Sequence, residues 1–194
     1  MSKGSYEHHL LKGVDVSPNN ETLPLIVYKG IADFGDNEPE GVLEKIFWGN
    51  QWADGFRDGT FSFHHYHSGA HEVVGVARGG AVLEFGGPGG MVIEVSAGDA
   101  VVIPAGVVHR RIDDAPGYSA VGAYPHRQVP DCCVLSAEDA ATATVDPDAA
   151  GLAIKHIGEN QLPEIKASIL ATVLPITDPV SGTGGAIGEL WLGG

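Results

Sequence analysis

The chain is most constrained between Gly59 and Asp113, where histidines and a glutamate recur at strand spacing between glycine-marked turns. The first part runs from Gly59 through His64, His65, Tyr66, His67 and His71 to Glu72, then on to Gly79. The second runs from Gly98 through the apolar Ala100–Ile103 to Pro104, Gly106 and His109. Side chains on a strand alternate between faces, so His65 and His67 project to one side. A turn over Ser68, Gly69 and Ala70 returns the chain, and Glu72, Val74 and Val76 then share a face of the next strand. His109 arrives after a further strand pair. Three neutral imidazoles and one carboxylate form a mixed nitrogen and oxygen set suited to a first-row divalent metal. His65, His67, Glu72 and His109 are therefore the candidate ligands, and Fe, Mn, Ni or Zn the candidate ions.

These residues resemble the two motifs of the cupin superfamily. Gly59, His65, His67, Glu72 and Gly79 match the first motif without adjustment. Gly98, Pro104, Gly106 and His109 match the second, whose last position holds Asp113 where the family usually carries Asn. The exchange alters local hydrogen bonding, because Asn donates and an ionised Asp only accepts. The segments Pro18 to Tyr28, His64 to Ser68, Gly122 to Pro125 and Asp178-Pro179 look like a branch of small bacterial cupins with no assigned reaction. The resemblance implies an all-β fold, an antiparallel jelly-roll barrel of six to eight strands with a small helical or irregular C-terminal segment. It also implies one divalent metal on the four candidate ligands. A homodimer is implied too, made by exchanging or augmenting edge strands, with Leu23 to Tyr28 as the candidate strand.

Length and charge narrow the function classes. The 194 residues suffice for one sizeable core. The expected layout is a single domain, with an N-terminal arm over 1–22, a barrel over 23–130 and an extension over 131–194 packing on it. A net charge of −14 argues against nucleic acid, whose backbone requires clustered cations. No apolar run approaches a membrane span, and the residues after Met1 lack an apolar signal core, so a cytoplasmic protein is expected. Cys132 and Cys133 are adjacent and poorly placed to bridge each other.

Turn chemistry and periodicity place the remaining elements. Gly86 to Gly90 predicts a tight hairpin turn between strands over 79–84 and 91–95. Residues 31–41 read as a loop or short helical turn, and residues 118–124 as a strand. Ser136 is a helix N-cap, and Ile165, Ile169, Leu170 and Val173 follow helical spacing after Pro163. The segment from Leu190 to Leu192 is expected to pack back onto the domain. Phe61 and Phe63 share the parity of His65 and His67 and are candidates for an apolar ligand wall. His64 and His71 have the opposite parity, which predicts that they face outward or pack against another chain. All five arginines lie within residues 57–127, and Arg111, two residues after His109, is the candidate anchor for a carboxylate.

Two function classes remain open. The first is a mononuclear metal oxidoreductase of dioxygenase type acting on a small organic molecule, with an organic acid among the candidates. The second is a metal-containing protein that binds or senses a small ligand without turnover, and a cupin-type isomerase is a further alternative. The fold alone does not decide among them.

Overall fold

The computed structural model describes residues 5–145 and 153–193. Two sheets face each other, and the apolar patterning explains why both are covered on their outer sides as well. Strand β1 (Ser5–His9) pairs with β2 (Leu25–Lys29), which pairs with β9 (Ala100–Ile103). The sheet continues through β6 (Glu72–Arg78) and β11 (Ser119–Pro125) to the short β3 (Trp52–Ala53), with β4 (Arg57–Asp58) also on β11. The second sheet has the order β13 (Ile154–His156), β12 (Cys132–Val134), β5 (His65–Tyr66), β10 (His109–Asp114), β7 (Gly80–Phe85) and β8 (Met91–Ser96). All pairings are antiparallel except β12 with β13. This is the expected antiparallel barrel, but among the described residues its sheets hold seven and six strands rather than six to eight in all, the excess including the two-residue β3, β4 and β5.

Strands β2, β6, β9 and β11 at the centre of the first sheet are buried on both faces, so they read as nearly continuous apolar runs, whereas β1 and β4 are largely exposed. Leu25, Val27, Val74, Val76 and Val101 point inward and meet Leu83, Phe85, Ile93 and Val95 of the second sheet. Their neighbours Ile26, Tyr28, Val73 and Val102 point outward into a second cluster. That cluster is closed by helix α1 (Pro39–Gly49), through Leu43 and Phe47, and by α4 (Gly185–Leu190), through Ala186 and Ile187. Gly75 permits this contact, since a Cβ there would lie 2.7 Å from the Phe47 ring. A buried latch fixes the C-terminal segment. The Tyr28 hydroxyl donates to Asp178 at 2.5 Å, and Asp178 also accepts from the backbone of Val180, Ser181 and Ile187.

Helix α3 (Leu162–Ala171) covers the outer face of the second sheet, and α2 (Ala137–Val145) packs at its Phe63 and Val134 end. Ile157 and Ile169 pack on Tyr66, Val108 and Cys133, and Ala143 packs with Phe63 and Val134. Ser136 caps α2 as expected, its Oγ accepting from the Asp139 amide at 3.0 Å. Trp191 packs back and donates to the Pro24 carbonyl at 3.0 Å, whereas Leu192 is exposed.

Residues 31–38 are loop and turn, within the reading given to 31–41, and Pro39 then begins an eleven-residue helix that the sequence reading did not include, held by the Leu43 and Phe47 pair. Within the single chain the strand considered for exchange pairs between β1 and β9, and Leu25, Ile26 and Val27 are fully buried. The sheet edge is Ser5–His9, from the part of the chain read as a surface arm.

Candidate metal centre

The ligand candidates come from adjacent elements of the barrel. His65 on β5 lies opposite His109 on β10 in direct register. His67 follows β5, and its carbonyl accepts from the Gly106 amide at 2.8 Å, so the two motifs are stitched together by backbone. Gly106 adopts φ of +87°, in the left-handed region, and a Cβ there would collide with Ile169 of α3. Glu72 opens β6 on the facing sheet. One ring nitrogen from each of His65, His67 and His109 lies within 4.8 Å of the other two. Glu72 Oε2 approaches His67 Nε2 at 3.4 Å and His109 Nε2 at 3.3 Å. All four side chains are buried.

The tautomers follow from what surrounds each ring. His65 Nδ1 lies 3.2 Å from the Phe63 carbonyl, His109 Nδ1 lies 3.0 Å from the Val107 carbonyl, and His67 Nδ1 bonds the Asp131 carbonyl. A carbonyl only accepts, so each Nδ1 carries the proton and each Nε2 presents its lone pair to the shared centre. Among the described residues, His67 Nε2 and Glu72 Oε2 have no hydrogen-bond partner despite their burial. Each such orphan costs about 1–3 kcal/mol. A divalent cation between them would satisfy both atoms and compensate the buried carboxylate, so the residues fit the ion that the motifs imply.

Electrostatics set the groups of the cluster apart. Burial, reinforced by the neighbouring His109 and His67 rings, pushes His65 well below the usual imidazole range. Burial alone would lower His67 as well, but the Glu72 carboxylate outweighs it and raises that pKa. For Glu72 burial favours the neutral acid, yet His67 and His109 hold it well below the carboxylate range. Tyr124 donates to Glu72 Oε1 at 3.4 Å and sets its ring edge-on to His67 at 5.5 Å.

A cavity of about 220 Å³ opens beside these groups. Phe61, Phe56, Thr60, Tyr124 and Cys132 form part of its wall, and Asp54 and Asp58 also line it. The volume lies below the ~300–1,000 Å³ common for drug-sized ligands, so it suits a smaller molecule. Burial pushes the Cys132 thiol up to about 12, which keeps it protonated in this wall.

The model profile of the cupin domain matches residues 56–117. Across 90% of both chains, 175 residues are 32% identical to the uncharacterised protein YjlB of Bacillus subtilis strain 168. The chain belongs to the cupin superfamily. Among solved structures, this cupin is similar to a dTDP-6-deoxy-D-glucose-3,5-epimerase of Legionella pneumophila, at 14% identity and a TM-score of 0.40, covering 87% of this chain and 99% of that one. It is also similar to the vicilin of Solanum melongena, at 18% identity and a TM-score of 0.36, covering 62% of this chain and 34% of that one. The chain thus spans about a third of the vicilin's length.

Other candidates sit elsewhere in this cupin. Phe63 does not line the cavity but stacks behind Phe61, with ring centroids 4.8 Å apart. Arg111 shares the face of His109 but lies two residues further along β10, about 7 Å at strand rise. There its guanidinium packs over Gly59 and the Tyr118 ring and pairs with Asp114 at 3.4 Å. It does not line the cavity. His64 and His71 are buried rather than outward. His64 Nε2 lies 2.9 Å from Glu84, whose carboxylate also accepts from Arg110 at 2.7 Å. His71 Nδ1 accepts from the Ala105 amide at 3.0 Å, and its ring packs on Trp191.

Tyr124, Asp131 and Cys132 are wall residues that the motifs did not reveal. Alternation along β11 was the available signal for Tyr124, since Ala120 points inward while Val121 and Ala123 point outward. Among the described residues no helix is long and apolar enough to cross a membrane.

Proposed function

We propose that this cupin is a mononuclear metal enzyme acting on a small organic molecule, with oxidoreductase chemistry of dioxygenase type as the leading reading. His65, His67, His109 and Glu72 would hold the ion. The observation that carries the reading is the convergence of three carbonyl-anchored imidazoles on a carboxylate, with two buried atoms left unpaired and a cavity beside them.

A bound divalent ion would supply a Lewis acid with coordination positions open to water, dioxygen or a ligand. The chain's own residues do the remaining work. The carbonyls of Phe63, Asp131 and Val107 fix the imidazole orientations. Tyr124 occupies Glu72 Oε1 and directs Oε2 towards the histidines. Phe56 and Phe61 keep part of the wall dry, which strengthens every electrostatic contact within it. The accessible cavity favours turnover over a metal site that serves structure alone. Ligand storage or sensing and isomerisation remain the alternative chemistries for the same centre.

The test is a turnover screen. Protein stripped and reloaded separately with Fe(II), Mn(II), Ni(II) or Zn(II) is incubated with small oxygen-containing organic molecules, and dioxygen uptake and products are followed. Metal-dependent uptake that disappears in a His65→Ala/His67→Ala variant supports the oxidoreductase. Product formation without dioxygen uptake favours the isomerase. Tight ligand binding without conversion favours the binding protein.

A further inference from the structure

Charge around the cavity is unevenly distributed, and the arginines explain why. Arg57 is taken by Glu38 and Glu44, Arg78 by Glu40, Arg110 by Glu84 and Arg111 by Asp114. Arg127 borders a separate surface groove. Among the described residues no lysine or arginine lines the metal cavity, while four carboxylates do, those of Asp54, Asp58, Glu72 and Asp131. Two of the four are compensated in place. Glu72 faces the histidines, and Asp131 pairs with Lys155 at 3.2 Å and accepts from Ser68. Asp54 and Asp58 are exposed and have no ion-pair partner among the described residues. The cavity therefore has a cation-seeking entrance, an aromatic wall at Phe56 and Phe61, and a floor where buried His67 Nε2 and Glu72 Oε2 lack partners.

We infer that the ligand is a small amine or other organic cation carrying an oxygen donor, with its donor end towards the histidines and its positive end between Asp54 and Asp58. This rests on the metal-site reading given above. The opposite polarity, a carboxylate, would meet two uncompensated like charges and no guanidinium. A cationic tail gains from both aspartates, and the faces of Phe56 and Phe61 offer a further cation–π contribution. The aspartates also raise the local concentration of cations and so favour capture, an effect that salt screens.

The experiment uses Co(II)-loaded full-length protein and three probes with one chelating head. Dopamine, 4-ethylcatechol and 3,4-dihydroxyphenylacetate share the catechol and carry a cationic, neutral or anionic tail. Binding is titrated through the visible Co(II) absorption in the parent and in Asp54→Asn/Asp58→Asn. Asn suits position 54, whose φ of +55° lies in the left-handed region that Asn tolerates, so the variant should fold. The parent is expected to bind dopamine about tenfold more tightly than the acid, with the neutral probe between them. The variant is expected to bring that ratio close to one, and raised salt to shrink it in the parent. An acid bound as tightly as the amine, or a preference untouched by the double substitution, overturns the charge assignment while leaving the metal site standing. Failure of the parent to take up Co(II) overturns both.

Discussion

Two buried polar clusters lie on opposite sides of the same short strand, and they are satisfied in opposite ways. Outside the barrel, under α2, His64, Glu84, Arg110 and Asp139 partner one another. Glu84 accepts from Arg110, from the Gly89 amide and through its contact with His64, while Asp139 accepts from the His64 amide and from Ser136. Among the described residues none of these side chains leaves a buried atom unpaired. Inside the barrel, His65, His67, His109 and Glu72 are all buried, more completely than Arg110 and Asp139 of the outer cluster, yet two of their atoms have no partner among the described residues. The contrast separates a cluster that closes on itself from one arranged for something that arrives from outside. Burial of charge alone would not have told them apart, since structural networks also perturb pKa values.

The comparison breaks most visibly if the inner cluster is emptied. A His65→Ala/His67→Ala variant should fall from near one equivalent of metal to below about a tenth, measured by elemental analysis on protein whose circular dichroism matches the parent. Chelation comes next. Stripping the parent should lower its stability by about 2.7 kcal/mol if free metal had stood at a hundredfold its Kd, and a chelator should leave the double variant's melting curve in place. In the outer cluster the pattern should reverse. Glu84→Gln should cost about 2 kcal/mol in denaturant titration, because Arg110 and His64 lose a buried anion, while metal stoichiometry stays unchanged.

The Glu84 effect should also depend on pH. Burial raises its pKa, but Arg110 and His64 outweigh this and lower it below the ordinary carboxylate value. A depressed carboxylate contributes fully above its unfolded pKa and loses that contribution as pH falls through its folded value. The stability gap between parent and Glu84→Gln should therefore be complete at neutral pH and close below about pH 4, the ordinary range for glutamate. The smallest effect is expected at the helix that covers this cluster. Ser136→Ala removes the cap of α2 and should cost about 1 kcal/mol without changing metal content.

The inner cluster was far more legible in the sequence than the outer one. His65, His67 and Glu72 fall at close spacing between glycines that mark turns, and the resemblance to the paired cupin motifs joined the distant His109 to them. The outer cluster joins His64, Glu84, Arg110 and Asp139 from four separate elements, and single-strand alternation carries no such information. Alternation put His64 on the side away from His65 but gave no sign of its burial there, where Glu84 and Asp139 contact it. Spacing from His109 suggested Arg111 as a carboxylate anchor but carried no sign of Asp114 and Tyr118, which it contacts, or of the register shift in β10 after it. Helix α1 had a readable start at Pro39 and a Leu43 and Phe47 pair, but its glycines and acidic residues resemble a loop. The barrel itself was legible through the resemblance of the two motifs to the cupin superfamily, since short apolar strands bounded by turn residues do not by themselves specify how a sheet closes.

X-ray absorption of the metal-loaded protein addresses the central claim most directly, because it counts and identifies the atoms around the ion. The account predicts three imidazoles and a carboxylate oxygen, with nitrogen and oxygen scatterers at about 2.0–2.2 Å and no sulfur. A sulfur scatterer near about 2.3 Å would bring a cysteine into the set, and a shell with no imidazole scattering would place the ion away from His65, His67 and His109. Either result would contradict the assignment.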